Sequence, residues 1–335
     1  MKMWYHAKGN DSDIVVSTRV RLARNIAEVP FPPKWSDTAA KEITDGVKKA
    51  LDATKEKFSF LNLDNAPQRN KSALVEDHII SREMLSGKNK ALFLNEAGTA
   101  AVMVGEEDHI RIQAIAAGFD LENVFAAADA IDDAMGKVLN FAFDERFGFL
   151  THCPTNVGTG MRASVMLHLP ALRMAGNINS LIGQVGKLGL TIRGVYGEGS
   201  ESRGDLYQLS NQITLGLSEQ QTIEKLSDIV KQIIKMERDA RKRLYENDNL
   251  SMADAVYRAF GTLKFARKIT SQEAQKLLSY VKLGIDLGII EGMDAQKITQ
   301  LMIESEPHHI ALAEGSDLSP AERDEKRAAH IRESI

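Results

Sequence analysis

The apolar residues of this chain change their period near Ser218, and that change restricts it to two kinds of architecture in series. Upstream, short runs alternate with period two or form brief apolar blocks between turn residues. They predict strands at 14–22, 58–63, 91–94, 100–104, 110–115, 147–151, 191–195 and 206–209. Asn95-Glu96-Ala97-Gly98 joins two of them as a hairpin. Helices are predicted at 37–57 with Ser36 as N-cap, at 72–85, at 121–143, and from Arg162 onward after a loop at 154–160. Downstream, Ile223, Leu226, Val230, Ile233 and Met236 mark one face of a long amphipathic helix. Further helices are expected at 252–265, 272–287 and 295–303, with Pro320 in the first turn of a last one. The pattern predicts a mixed α+β domain over residues 1–245, its strands largely antiparallel, followed by an all-α domain over 246–335.

A chain of 335 residues can bury the cores of two such domains. Its 42 basic and 46 acidic residues leave a formal charge of −4, which gives no global drive toward nucleic acid or an anionic membrane. The one cysteine, Cys153, cannot form an internal disulfide, which fits a reducing cytoplasm. The opening MKMWYHAKGNDSD lacks the apolar core of a signal peptide, and no run approaches the roughly 18 apolar residues of a membrane span.

Four segments carry the candidate chemistry. In Ser17-Thr18-Arg19-Val20-Arg21, a strand places Ser17, Arg19 and Arg21 on one face, and two adjacent guanidinium groups suit an anion between them. In Glu106-Glu107-Asp108-His109-Ile110-Arg111, an extended chain points Glu107, His109 and Arg111 the same way. Cys153-Pro154-Thr155-Asn156-Val157-Gly158-Thr159-Gly160 leads through a Gly-rich turn into Arg162-Ala163-Ser164, where a helix start would favour an anion. Arg193-Gly194-Val195-Tyr196-Gly197-Glu198-Gly199-Ser200-Glu201 has glycines around acidic residues, as a loop closing over a ligand does. Taken singly, each also reads as a solvated strand face, a charged edge, a structural turn or a hairpin tip.

Together they supply arginines, glutamates and two Gly-rich loops, an inventory that suits phosphoryl transfer. The G-x-G-x-x-A within 158–163 lacks the parallel βαβ setting of a dinucleotide fingerprint. A Walker A sequence, the H-R-D and D-F-G motifs of protein kinases and a G-x-S-x-G elbow are absent. No His or Cys pair has useful metal-ligand spacing, and the adjacent His308 and His309 read as surface or packing residues.

In this order the motifs at 17–21, 106–111, 153–159 and 162–164 resemble the phosphagen (guanidino) kinase family over roughly residues 14–240. Two departures point to a branch of it. The first motif begins too early for the extra N-terminal helical domain of the metabolic members, and Tyr196 stands where they carry an arginine. The segment 193–201 resembles instead the bacterial protein-arginine kinases. Arg323-Asp324-Glu325-Lys326-Arg327-Ala328 is similar to that branch's R-D-x-x-R-A phosphoarginine-binding motif. Read alone, it is a charged helix with Arg323 and Arg327 on one face.

The resemblance implies an antiparallel sheet flanked by helices, of the phosphagen-kinase or glutamine-synthetase-like kind. It implies ATP with Mg²⁺ and no protein side chains as metal ligands. Arg19, Arg21, Arg111 and Arg162 would clamp the phosphates. Ser17, Thr18, Val20, His78, Ala163, Ser164, Val165, Met166, Arg193, Gly194, Val195, Tyr196, Gly197 and Glu198 would complete the nucleotide site. Glu107 and Glu201 would hold the acceptor guanidinium, and Cys153 would lie near the substrate. The implied reaction is phosphorylation of arginine in protein substrates, marking them for a Clp protease in stress and quality control. A homodimer, an activator protein and a Clp ATPase are the implied partners. A free-arginine kinase and a non-catalytic phosphoarginine-binding adaptor are the alternatives.

Overall fold

The computed structural model describes residues 2–32, 34–195 and 202–335. Its centre is an eight-stranded sheet in the order β2-β3-β4-β5-β1-β8-β10-β9, every neighbouring pair antiparallel. The strands are β1 (Val15–Arg24), β2 (Phe58–Asn62), β3 (Ala91–Asn95), β4 (Ala100–Val104), β5 (Ile110–Ala117), β8 (Met161–His168), β9 (Leu190–Gly194) and β10 (Leu206–Asn211). A two-residue-a-side ribbon, β6 (Phe143–Asp144) and β7 (Gly148–Phe149), stands apart from it.

The helices of the first half are α1 (Asp37–Asp52), α2 (Gln68–Glu76), α3 (Leu121–Gly136), α4 (Pro170–Met174) and α5 (Ile178–Lys187). The Ser36 hydroxyl caps α1 by accepting the Ala39 N–H at 3.1 Å. Then follow α6 (Glu219–Asn247), α7 (Asn249–Phe265), α8 (Ser271–Asp286), α9 (Ala295–Glu304), α10 (Pro307–Ala313) and α11 (Pro320–Ser334).

Strand alternation sorts the sheet into two unlike faces. Val20, Leu22, Ile112, Ala114, Ala163, Val165, Leu167, Leu209 and Ile192 form one core with α1, α3, α5 and α6. On the other face Leu92, Met103, Ile115 and Met166 join a second core with α7, α8, α9 and α11. The rest of that face carries the arginines described below.

A buried ionic network ties the late helices to the sheet. The Glu237 carboxylate accepts the Ala171 and Leu172 N–H groups and pairs with Arg241 at 2.8 Å. Arg241 and Lys282 both reach Asp286, at 3.1 and 3.0 Å, and Lys282 also donates to the carbonyls of Ser12 and Asp13. Elsewhere α10 docks on α2. Glu76 accepts the His308 and His309 N–H groups at 3.0 Å, and His309 pairs with Asp77 at 2.9 Å.

Three helical expectations change. The helix at 72–85 ends at Glu76, because His78 adopts a φ of 59° and α-helix cannot continue through it; a 3₁₀ turn follows at Arg82–Leu85. The helix at 121–143 stops at Gly136. Arg162 opens β8 rather than a helix. Lying between β1 and β10, β8 is buried on both faces, so its sequence lacks the alternation of a half-exposed strand.

Leu209→Ala, at a fully buried position, should cost about 2–5 kcal/mol in urea unfolding. Burial pushes the Glu306 carboxyl up to about 7, although Gln275 donates to it at 2.8 Å. A carboxyl raised in the folded state binds protons that the unfolded chain has released. It therefore favours folding at low pH and loses that contribution as pH rises from about 4.5 to 7. Glu306→Gln should flatten stability over this window and raise it at pH 8 by on the order of 1–3 kcal/mol, read by thermal or urea unfolding.

Candidate active site

Register brings the arginines together. Arg21 on β1 lies directly across from Arg162 on β8, and Arg19 lies across from Ser164. On the other flank Arg21 opposes Gln113 of β5, and Arg111 opposes Ala23. Arg193 of β9 opposes Gln208 of β10, whose Oε1 accepts from Arg19 Nη2 at 2.9 Å. Period two then places Arg19, Arg21, Arg111, Arg162 and Arg193 on a single face, with Ser17, Ser164 and Met166.

These cations outnumber their local counterions. Burial, then Arg19, Arg111 and Arg162, pull the Arg21 guanidinium far below the usual arginine range, and its buried Nε has no hydrogen-bond partner. Burial, Arg193 and Arg111 lower Arg162 as well. Such a cluster is relieved by a polyanion, whose oxygens match the planar N–H forks. His78 faces it from the turn after α2. Burial, then Arg19 and Arg21, bring its imidazole down to about 3, so it is neutral at physiological pH and adds a polar contact without a charge. Gln113 fixes this turn by donating to the His78 and Ile79 carbonyls at 2.8 and 3.1 Å.

The acidic side of the site is a turn at 105–108. Glu106 is buried and pairs with Arg111 at 2.8 Å, while Glu107, a third exposed, lies 3.6 Å from it. Asp108 locks the turn from below. Its Oδ1 accepts from Asn25 Nδ2 and from the His152 N–H, each at 2.7 Å, while Asn25 Oδ1 accepts the His109 N–H at 2.9 Å.

The expectation that His109 shares a face with Glu107 and Arg111 does not hold. Residues 105–108 form a turn rather than strand, so the alternation restarts at Ile110. His109 is buried, accepts the Ile26 N–H on Nδ1 at 3.0 Å, lies 2.9 Å from the Pro30 carbonyl through Nε2, and stacks on Trp35. Burial lowers its pKa, and it serves packing.

The loop at 153–160 closes the cleft. Cys153 Sγ lies 3.0 Å from Thr155 Oγ1, and Thr214 Oγ1 lies 2.8 Å from the carbonyls of both Thr155 and Val157. Gly158, with φ of 116°, lets the chain pass so close to Thr214 that a Cβ would sit 2.2 Å from its carbonyl oxygen. The loop end is held by Arg24, which pairs with Asp132 at 2.6 Å and donates to the Thr159 carbonyl at 2.9 Å. The result is a cleft of about 110 Å³ lined by Arg21, Arg111, Arg162, Glu107, Cys153 and Asn156. No group of three or more His, Cys, Asp or Glu side chains able to hold a metal ion occurs among the described residues.

Not every residue expected at the nucleotide site points into it. Thr18 donates to the Gly118 carbonyl, and Val20, Ala163 and Val165 pack in the core on the opposite face, leaving only their backbones for a ligand. Val195 is buried against the second core beside Gly194, the last residue of β9. Tyr196, Gly197, Glu198 and Glu201 lie outside the described residues.

The 323–328 segment stands on α11. Arg327 is buried, donating to the Ser305 and Ile269 carbonyls at 2.7 and 2.9 Å and pairing with Asp324 at 2.6 Å. Lys326 pairs with Glu314 at 2.8 Å, Ala328 is buried, Glu325 is exposed, and half-buried Arg323 shares the Arg327 side of the helix. Asn25, Asp108, Gln208 and His152 were not legible as site residues. Each lies within or beside a motif strand, but nothing in their types distinguishes a buried tether from a solvated polar residue.

Residues 40–240 match the family model "ATP:guanido phosphotransferase, C-terminal catalytic domain", and residues 249–335 match "Protein-arginine kinase McsB C-terminal domain". A "Protein-arginine kinase" of Halothermothrix orenii is 44% identical over 334 residues, 98% of this chain and 95% of that one. One of Bacillus subtilis is 43% identical over 339 residues, 100% and 93% of the two chains. Among solved structures, a lombricine kinase superposes with a TM-score of 0.60 at 26% identity, covering 69% of this chain and 68% of that one. The duplicated taurocyamine kinase from Schistosoma mansoni, with bound transition-state analogue components, gives 0.63 at 26%, covering 80% and 40%. With the arginine-lined sheet face and these matches along nearly its whole length, the chain belongs to the ATP:guanido phosphotransferase family, in its protein-arginine kinase branch.

Proposed function

We propose that this protein transfers the γ-phosphoryl group of ATP to the guanidinium of arginine residues in other proteins. The observation that carries the reading is Arg21. A half-buried guanidinium pressed by three like charges, with a buried and unpartnered Nε, stands beside a carboxylate-bearing turn. That arrangement suits a triphosphate on the arginines and a cationic acceptor against Glu107.

Phosphoryl transfer needs positioning and charge neutralisation more than covalent help. Arg19, Arg21, Arg111, Arg162 and Arg193 meet the phosphates. Ser17, His78, Ser164 and Met166 belong to the same face or its edge, and the backbones of 18–20, 163–165 and 194–195 would complete the wall. Glu107, with Glu201 from the 193–201 segment, orients the acceptor. Arginine is protonated in ordinary settings, so one N–H proton must pass to a carboxylate as the N–P bond forms and the γ-phosphoryl leaves ADP. Bound Mg²⁺ would neutralise phosphate charge. The phosphates and water would supply its ligands.

The same kinship supports a division into a catalytic domain over 1–245 and a helical domain over 246–335, with 323–328 as a phosphoarginine-binding regulatory site. In it Arg323 would grip the phosphate while Asp324 and Arg327, already paired, shape the pocket. Kinship also supports a cytoplasmic homodimer that works with an activator protein and hands phosphoarginine-marked clients to a Clp ATPase in stress and quality control.

Incubation with ATP, Mg²⁺ and an arginine-rich protein, followed by mass spectrometry at neutral or basic pH, should place phosphate on arginine. Phosphate on serine or tyrosine, or ATP turnover with free arginine but no protein, overturns the reading. Glu107→Gln and Arg162→Ala should each lower kcat by about 10²–10³ with the fold retained. Near-normal turnover in either would remove that residue from its role.

A further inference from the structure

His152 stands where the reaction needs an exit for a proton. It lies between the strand–turn elements that build the acceptor side and the cysteine loop, and none of the roles above uses it. Its Nδ1 is 3.9 Å from Glu107 Oε1. The imidazole is about half exposed, at 49%, whereas Glu107 is 33% exposed and faces into the cleft.

The spacing is built rather than incidental. Asp108 follows Glu107 in the chain, is fully buried, and accepts the His152 N–H at 2.7 Å. Asn25 holds the same carboxylate oxygen at 2.7 Å and donates to the Leu150 carbonyl at 3.0 Å. The backbones carrying Glu107 and His152 are thus tied to one another through a single locked side chain. Phe31 meets the outer side of the imidazole edge-on at 5.7 Å between centroids.

The charged groups around the imidazole divide cleanly. Glu107 faces it, Arg111 stands behind Glu107 at 3.6 Å, and Glu106 neutralises Arg111 from beneath at 2.8 Å. Arg162 lines the same cleft as Glu107, and Cys153, the residue after His152 in the chain, lines it too. Asp108 is occupied below by Asn25 and the backbone, and His109 is turned into the Trp35 stack.

We propose that His152 relays the acceptor's proton from Glu107 to solvent, an inference that rests on the phosphoryl-transfer reading of this cleft. The guanidinium nitrogen forms its bond to the γ-phosphorus as the bond to the bridging oxygen breaks, and that electron pair leaves with ADP. The N–H proton moves to the Glu107 carboxylate, from there to His152 Nδ1, and then from the imidazolium to bulk water or buffer. A gap of 3.9 Å is closed by one water or a small side-chain rotation, within the looseness of catalytic contacts before substrate binds. Imidazole suits this task because it gains and loses a proton readily between about pH 5 and 8. Without the relay, Glu107 would have to release its proton from inside an occupied cleft.

The test compares wild type with His152→Gln in the full chain, using an arginine-rich protein, ATP and Mg²⁺. In weak buffer the variant should lose about tenfold in kcat while the KM for the protein stays within about twofold, and added imidazole should restore kcat in a concentration-dependent way. His152→Asn serves as a second variant, and thermal unfolding confirms that both are folded. Wild type that phosphorylates arginine, with variants that match it in weak buffer or ignore imidazole, overturns the relay and leaves the phosphoryl-transfer reading standing. Wild type that places no phosphate on arginine overturns both.

Discussion

Everything in the catalytic half depends on the alternation of β1 at the middle of the sheet. One residue to the next, its side chains go to opposite solvents. Val20 and Leu22 enter a dry core, and Arg19 and Arg21 enter a cationic cleft. A slip of one residue in register would bury two guanidinium groups among Ile43, Val47 and Ile131, at the desolvation cost of two charges. The apolar face therefore specifies where the charged face points. Because β5 and β8 pair with β1 on either side, Arg111 and Arg162 inherit the same direction. The cluster is a by-product of pleat and register, and the large core opposite it makes the mutual repulsion tolerable.

That repulsion is useful. Arg21 and Arg162 are held in surroundings that disfavour their own charge, so an arriving polyphosphate would relieve that repulsion as well as accept hydrogen bonds. The acidic turn is treated differently. Glu106 is used up against Arg111, while Glu107 keeps a partly open carboxylate facing the cleft. Two adjacent glutamates thus have separate duties, set by which one the turn at 105–108 sends inward. Asp108 and Asn25, neither of which touches the cleft, decide that geometry by tying the turn to the cysteine loop.

The late helices are more than an appendage. They share a core with the arginine-bearing face, and α10 rests on α2 through Glu76, Asp77 and His309. His78, the next residue, faces the phosphate-side arginines. Three consecutive side chains therefore reach from a helix of the C-terminal half to the cleft. Burial also leaves Glu76 and Glu306, both pushed up to about 7, as acids whose charge is sensitive to how tightly these helices pack.

Most of the elements, and the residue types of the cleft, were legible along the chain. Alternation marked β1, short apolar runs between turn residues marked β3, β4 and β5, the 3.6-residue period marked the long helices, and residue types at 17–21, 106–111 and 153–164 pointed to a polyphosphate site. These are local properties, set by neighbours within a turn or a strand. That Met161–His168 is a strand emerges only from packing, because burial on both faces erases the pattern that would show it. Packing also decided that His109 packs while His152 faces Glu107, and that Asp108 and Asn25 form the tether between them. Those outcomes depend on contacts between residues 44 to 84 positions apart, as between Asp108 and His152 or Asn25 and His109, and local spacing carries no information about such closures.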